Sequence, residues 1–197
     1  ARINDIRDLE LEDLLGRDPV QPDNAQVATS LYERAVMVTG AGGSIGSELC
    51  RQIIQHRPSK LVLFEQSEFS LYAIERELQA INQIEALGVE IHPLLGSVTH
   101  RRRCETAMRS FGIETVYHAA AYKHVPLVEH NVIEGVQNNV FGTFHVAEAA
   151  IAAGVKRFVL ISTDKAVRPT NVMGASKRLA ELVLQGLAQR QSDTIFS

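Results

Sequence analysis

Three glycines, each separated from the next by two residues, are the positions that point most directly to chemistry: Gly40, Gly43 and Gly46. They follow a short apolar run and precede a segment in which apolar residues recur at helical spacing. In that context the first glycine permits a tight turn and the second lets backbone N–H groups approach a pyrophosphate. The third lets the helix pack close to the strand. The pattern predicts a dinucleotide site with the anion at the positive end of a helix.

A carboxylate at the end of the second apolar run, Glu65, indicates which dinucleotide binds. A carboxylate at this place accepts hydrogen bonds from an adenosine ribose and repels a 2′-phosphate, which favours NAD and leaves NADP as the alternative. Glu65 could instead be a charge at the start of the next helix, because Ser67 is a good helix cap. The other residues expected around the cofactor lie in the glycine turn, at strand ends or in a later helix: Thr39, Gly42, Ser44, Ile45, Ser97, Val98, Ala119, Ala120, Ala121, Lys123, Asn139 and Lys177.

A second group of polar residues follows the fifth apolar run, where Thr163, Asp164 and Lys165 are consecutive. Ligands bind at the carboxyl ends of parallel strands, so a carboxylate and an amine there are candidates for the acid and base of a proton-transfer reaction. The alternative is a surface ion pair in a loop. Met173 and Lys177 follow one turn apart on one face of the next helix. The histidines lack metal-ligand spacing, and we expect no metal site.

The elements that position these residues alternate between apolar runs and helical patterns. Strands are predicted over 35–39, 61–64, 89–95, 115–119 and 158–162, and helices over 44–56, 67–87, 100–111, 133–153 and 173–191. Continuously apolar strands separated by helices predict an α/β fold with a doubly wound parallel sheet. A sixth strand is expected to start near Thr194, so we expect the fold to continue past the last residue of this sequence.

Composition narrows the class of protein further. Residues 1–31 alternate acidic and apolar residues before two prolines, which predicts an N-terminal arm or linker ahead of a dinucleotide-binding domain over 32–197. A net charge of -3 over 197 residues gives no general attraction to nucleic acid, and none is expected as a partner. With no long apolar run and no signal peptide, the chain as given is expected to be soluble. Cys50 and Cys104 are expected to be reduced thiols.

The order of these motifs resembles the extended branch of the short-chain dehydrogenase/reductase superfamily, whose members have a Rossmann fold. The resemblance is carried by the glycine turn, by residues 118–121 (HAAA), by the strand-ending Ser162-Thr163 and by the helical Lys177. In the superfamily a tyrosine four residues before the lysine is the general base. Here that position is Met173, whose thioether cannot carry a proton.

Met173 narrows the resemblance to one family. Together with residues 123–126 (KHVP), 162–166 (STDKA) and 11–17 (LEDLLGR), it makes the chain similar to the long, membrane-anchored UDP-N-acetylglucosamine 4,6-dehydratases, in which methionine is usual here. These enzymes serve bacterial capsule, O-antigen lipopolysaccharide and protein-glycan synthesis. The resemblance implies an N-terminal membrane region and a C-terminal substrate-binding part, both outside this sequence. It also implies a place at the cytoplasmic face of the inner membrane, and it allows a homo-oligomer.

The resemblance implies a lyase reaction on UDP-N-acetylglucosamine: transient oxidation at C4, loss of water across C5–C6 and return of hydride to C6. Asp164 is the implied acid and Lys165 the implied base, while Thr163 would polarise the C4 oxygen and Lys177 would hold the nicotinamide ribose. A nucleotide-sugar epimerase or reductase of the same superfamily would not need the acid–base pair. A non-catalytic dinucleotide-sensing module is the third alternative, because of Met173. By itself the chain is expected to bind dinucleotide without turnover.

Overall fold

A computed structural model describes residues 30–197, so residues 1–29 of the predicted arm lie outside the described residues. The described residues form one parallel sheet of six strands: β1 (Ala35–Thr39), β2 (Lys60–Glu65), β3 (Glu90–Leu95), β4 (Thr115–His118), β5 (Arg157–Leu160) and β6 (Ile195–Phe196). Their order in the sheet is β3-β2-β1-β4-β5-β6. Because the direction of winding reverses between β1 and β4, a crevice opens at the carboxyl ends of these strands. The predicted doubly wound parallel sheet is confirmed.

Helices connect successive strands and cover both faces of the sheet. They are α1 (Ser44–Gln55), α2 (Glu68–Ile84), α3 (Arg101–Phe111), α4 (Val125–His130), α5 (Val132–Val136), α6 (Gly142–Ala153) and α7 (Val172–Ala188). A π-helical turn, Gln137–Phe141, joins α5 to α6, and a 3₁₀ turn, Asp164–Ala166, follows β5. The sequence pattern predicts neither α4 nor the π-helical turn, and both lie beside the site.

Side chains that alternate along the central strands fill two cores, one on each face of the sheet. Val36 and Val38 of β1 pack with α1 and α2, and Leu31 is buried in the same cluster. Met37 of β1 and Val62 of β2 pack on the other face with α3, α6 and α7. Burial on both faces explains why these strands are continuously apolar in sequence.

Cys50 and Cys104 are free thiols buried in helices on opposite faces of the sheet, as predicted. Burial raises the pKa of Cys104 to about 12, and it raises the pKa of Cys50 further. Both thiols therefore stay protonated and unreactive at neutral pH. Within residues 30–197, no helix has both the length and the apolar character that crossing a membrane requires.

Candidate functional site

The glycine turn lies at the carboxyl end of β1, where Gly40 has a φ of 68°. Its N–H donates to the Phe64 carbonyl at 2.8 Å, and a Cβ on Gly40 would lie 2.7 Å from the Ala120 backbone. A Cβ on Gly46 would lie 1.9 Å from the Gly40 carbonyl oxygen. Gly43 is the N-cap of α1, and no side-chain hydrogen bond from the described residues caps this helix. The first N–H groups of α1 are therefore available to an anion.

Glu65 ends β2 beside this turn and is 9% exposed. One carboxylate oxygen accepts the Gly42 N–H at 3.1 Å, and the other accepts the Gln66 and Ser67 N–H groups at 2.9 and 3.0 Å. The carboxylate thus joins the glycine turn to the start of α2, where Ser67 caps the helix through the Ser70 N–H. Both roles considered for Glu65 have a geometric basis, and its contact with a ribose stays a prediction.

A cleft opens between the glycine turn and the ends of β2, β3 and β4. Eight of the residues expected around the cofactor line it: Gly40, Gly42, Gly43, Glu65, Val98, Ala119, Ala120 and Ala121. The glycines and alanines in the lining carry no side chain longer than a methyl group. The other eight are not in its lining: Thr39, Ser44, Ile45, Gly46, Ser97, Lys123, Asn139 and Lys177. Thr39 is fully buried, Ile45 is half-exposed on α1, and the Ser97 hydroxyl pairs with Thr99 at 2.8 Å.

Asn138 lines the cleft although sequence reasoning does not assign it a contact. Its Nδ2 donates to Asn139 Oδ1 at 3.1 Å, and its own Oδ1 accepts no hydrogen bond from residues 30–197. An amide oxygen that the described residues leave without a donor can accept a hydrogen bond from a ligand. The signal available in sequence was the pair of adjacent amides inside an otherwise apolar helix.

Lys123 donates from Nζ to the hydroxyl of Ser44, the first residue of α1, at 3.1 Å. Both residues also line a second, more apolar cavity between the start of α1 and α4, which includes Leu127 and Val128. The ammonium therefore stands beside the positive end of α1. The ammonium charge and the positive end of the helix dipole would together attract a pyrophosphate. This position supports the predicted contact of Lys123 with the cofactor.

His118 at the end of β4 belongs to a buried hydrogen-bond chain. Its Nδ1 lies 2.6 Å from Thr39 Oγ1 and its Nε2 lies 3.0 Å from Thr143 Oγ1. Thr143 donates its hydroxyl proton to the Asn139 carbonyl at 2.7 Å, so it accepts from His118 Nε2–H. Nδ1 then accepts the Thr39 proton. Burial, with a smaller effect of the Lys177 charge, lowers the pKa of His118 to about 3, which keeps the ring neutral.

Asn139 continues this chain toward α7. Its Oδ1 accepts the Tyr122 N–H at 2.8 Å, and its Nδ2 donates to the Tyr122 carbonyl and to Ser176 Oγ, each at 3.0 Å. With the Asn138 amide as a further donor to Oδ1, every hydrogen-bonding group of its amide is used. Asn139 is 1% exposed and holds the loop after β4 against α7. A direct contact with cofactor, as predicted from sequence, would require this arrangement to open.

The neutral state of His118 makes stability depend on pH. Its folded pKa of about 3 lies below the ordinary value of 6.5, so the unfolded chain binds a proton first as pH falls. The free energy of unfolding should therefore decrease from pH 6.5 downward, by up to about 1.4 kcal/mol per pH unit. Urea unfolding at several pH values between 6.5 and 4.5 measures this slope, with His118→Asn as the comparison. Equal slopes in the two proteins would contradict the assignment.

Met173 and Lys177 lie one turn apart at the start of α7, as the spacing predicts. Met173 is 3% exposed, and its thioether adds no group that titrates. Lys177 is 6% exposed and donates from Nζ to the Ile161 carbonyl at 2.7 Å. Burial lowers the pKa of Lys177 to about 8, and the charge of Glu181 on the next turn opposes part of that shift.

Thr163, Asp164 and Lys165 lie after β5 at the same edge of the sheet as the cleft. Thr163 Oγ1 donates to Asp164 Oδ1 at 3.0 Å, and Lys165 Nζ lies 4.0 Å from the same oxygen. The side chains of Asp164 and Lys165 are 75% and 56% exposed. An ion pair of that exposure adds little stability, so its contribution to the fold does not explain why the two residues stand here.

Known proteins similar to this chain include nucleotide-sugar dehydratases and epimerases. Residues 36–197 match a family described as polysaccharide biosynthesis protein. The capsular polysaccharide biosynthesis protein CapD of Staphylococcus aureus is 47% identical over 194 residues, which cover 98% of this chain and 32% of that protein. A UDP-N-acetylglucosamine 4,6-dehydratase (inverting) of Campylobacter jejuni is 30% identical over 146 residues, 74% of this chain and 41% of that protein.

Among solved structures, that of Pen from Bacillus thuringiensis matches with a TM-score of 0.76 at 32% identity, covering 84% of this chain and 49% of that one. The chain therefore spans 32% to 49% of the length of these relatives. The family match extends from the second residue of β1 to the last residue of the chain and includes the whole site. The chain belongs to the polysaccharide biosynthesis protein family, within the extended short-chain dehydrogenase/reductase superfamily.

Proposed function

We propose that this chain is the dinucleotide-binding part of a nucleotide-sugar 4,6-dehydratase that converts UDP-N-acetylglucosamine to a UDP-4-keto-6-deoxy sugar in bacterial surface-glycan synthesis. One observation carries the proposal. The cleft of the glycine turn, the Asp164–Lys165 pair and the Met173–Lys177 helix start all lie at one edge of the sheet. The named Campylobacter relative and the capsular relative support this class of substrate.

The residues present fit a bound NAD. The glycine turn leaves no room for side chains at the start of α1, the strand-ending alanines keep the cleft open, and Lys123 stands beside the anion position. When bound, the nicotinamide supplies reversible hydride acceptance, so that C4 can be oxidised and C6 later reduced. Lys177 would hold the nicotinamide ribose, and Glu65 and Asn138 would contact the adenosine part.

Thr163 and Asp164 can accept the C4 hydroxyl proton. In the superfamily a tyrosine at the position of Met173 accepts it. The Thr163 hydroxyl, which donates to Asp164 Oδ1, can accept the C4 hydroxyl proton while passing its own to the carboxylate. Asp164 is then protonated and can give that proton to the departing 6-hydroxyl, which leaves as water. Lys165 removes the proton on C5 and returns one to C5 afterwards. The protons balance over the cycle without a tyrosine.

The test is product analysis with the full natural chain. Mass spectrometry of UDP-N-acetylglucosamine after incubation should show a product lighter by one water. An isomer of unchanged mass would instead indicate an epimerase, and no conversion would favour a dinucleotide-sensing role. We further propose a place at the cytoplasmic face of the inner membrane through a region outside this sequence. Cell fractionation of the full natural chain tests that placement.

Cofactor choice gives a separate prediction. Glu65 occupies the ribose position, and its carboxylate is fixed by three backbone N–H groups, so it cannot easily turn away from a 2′-phosphate. NAD should therefore bind more tightly than NADP by about 1–3 kcal/mol. Calorimetric titration with both dinucleotides measures the difference. Equal or tighter binding of NADP would remove the ribose assignment of Glu65.

A further inference from the structure

Gly174, in the first turn of α7, lies against the backbone of the 3₁₀ turn that carries Asp164 and Lys165. A Cβ on Gly174 would lie 2.3 Å from the Lys165 carbonyl oxygen and 3.2 Å from the Lys165 carbonyl carbon and from Pro169. Gly174 has helical backbone torsions that alanine also adopts. Glycine is therefore required at position 174 because of this contact with Lys165. The helical backbone alone would accept alanine.

Three features fix the chain between the turn and the helix. Arg168 has a φ of 56°, a left-handed value that a non-glycine residue adopts only when its surroundings impose it. The Asn171 side chain accepts the Gly174 N–H at 2.8 Å and caps α7. The Val172 N–H donates to a Glu129 carboxylate oxygen of α4 at 2.6 Å. The start of α7 is thus a fixed surface against which the turn rests.

The side chains of Asp164 and Lys165 are largely exposed, so packing of those side chains does little to hold them. Their position depends on the backbone of the turn, whose own hydrogen bonds are Ala166 N–H to Thr163 and Val167 N–H to Asp164. That backbone meets α7 at Gly174. The same helix turn carries Met173, and Lys177 follows on the next turn.

We propose that Gly174 is a positioning residue that sets the place of the Asp164–Lys165 pair through backbone contact with Lys165. This rests on the proposed function, because the pair matters only if it performs the elimination. The turn and the start of α7 then move as one unit. This contact keeps the acid and base in place relative to Met173 and Lys177 at the start of α7.

The experiment compares Gly174→Ala with Gly186→Ala in the full natural chain. Gly186 lies in the same helix, and a Cβ there would meet nothing within 4 Å, so it is a matched control. Gly174→Ala should slow the loss of water by about 10- to 100-fold, the effect of a displacement below about 1 Å. NAD affinity should stay close to wild type. The first appearance of reduced nicotinamide should slow less than the loss of water, because Lys165, which contacts Gly174, acts only in the elimination, whereas oxidation depends on Thr163 and Asp164. Gly186→Ala should match wild type in all three.

An equal slowing of oxidation and water loss in Gly174→Ala, or no slowing at all, would overturn the proposal. If Gly174→Ala does not fold, Asn171→Ala is the second variant, because it removes the cap of α7 and loosens the start of the helix against which the turn rests, without adding atoms. It should show the same selective loss. If wild type releases no water, the proposed function fails by itself. Amide exchange at Ala166 and Val167 then still tests the contact: it should be faster in Gly174→Ala than in Gly186→Ala, and equal exchange would refute it.

Discussion

Asp164→Asn and Lys165→Ala, each made in the full natural chain, are expected to slow the loss of water from UDP-N-acetylglucosamine by about 10²–10⁴-fold, the usual contribution of a positioned acid or base. Lys165→Ala should leave C4 oxidation close to wild type. Asp164→Asn should slow it as well, because Thr163 then loses the carboxylate that accepts its proton at 3.0 Å. NAD affinity should change little in both variants, since neither residue lines the cleft.

The Lys165→Ala enzyme is therefore expected to stop at the 4-keto sugar, with reduced nicotinamide visible by its absorbance. Lys156→Ala is the matched control, because Lys156 is a lysine of similar exposure at the opposite edge of the sheet, paired with Glu114 at 2.8 Å. Wild-type rates of water loss in both Asp164→Asn and Lys165→Ala would show that the pair is only structural. Another acid and base would then have to be identified.

The parts of the fold that sequence predicts are those in which burial dictates residue type. β1, and β2 after its first residue Lys60, are buried on both faces, so each position is apolar until Thr39 or Glu65, where the strand ends. Helix α4 gives no such signal: of its six residues only Val128 is buried, and no apolar period can be read from one residue. The π-helical turn buries Asn138 and Asn139 in succession, which breaks the helical period.

The candidate site also has one part that can be predicted from the sequence and one part that cannot. The glycine turn is predictable because glycine spacing records a backbone requirement, and the structure places Gly40 at positive φ and Gly46 against the Gly40 carbonyl. The chain from Thr39 through His118 to Thr143 is not predictable, because each partner comes from a different element and the residue types alone suit many roles. Asn139 shows the limit: its type suggested a cofactor contact, whereas its amide is fully used inside the protein.

Gly46→Ala is expected to abolish useful dinucleotide binding. The added Cβ would lie 1.9 Å from the Gly40 carbonyl oxygen, 2.7 Å from its carbonyl carbon and 3.1 Å from Ala41 Cα, all of them backbone atoms. No flexible side chain can move aside, so the start of α1 must shift away from the turn. Forcing one methyl into a packed site costs about 1–3 kcal/mol, and more where only backbone can yield.

We expect this cost to reduce NAD affinity, because the displaced N–H groups of α1 are the ones predicted to face the pyrophosphate. We expect NAD affinity to fall by about 100-fold or more, which corresponds to roughly 3 kcal/mol. Calorimetric titration of NAD measures it, with thermal unfolding of the same sample to show that the sheet remains intact. Gly186→Ala adds the same methyl to a helix with no atom within 4 Å and should bind NAD like wild type. Undiminished NAD binding by a folded Gly46→Ala protein would mean that the anion lies elsewhere than at the start of α1.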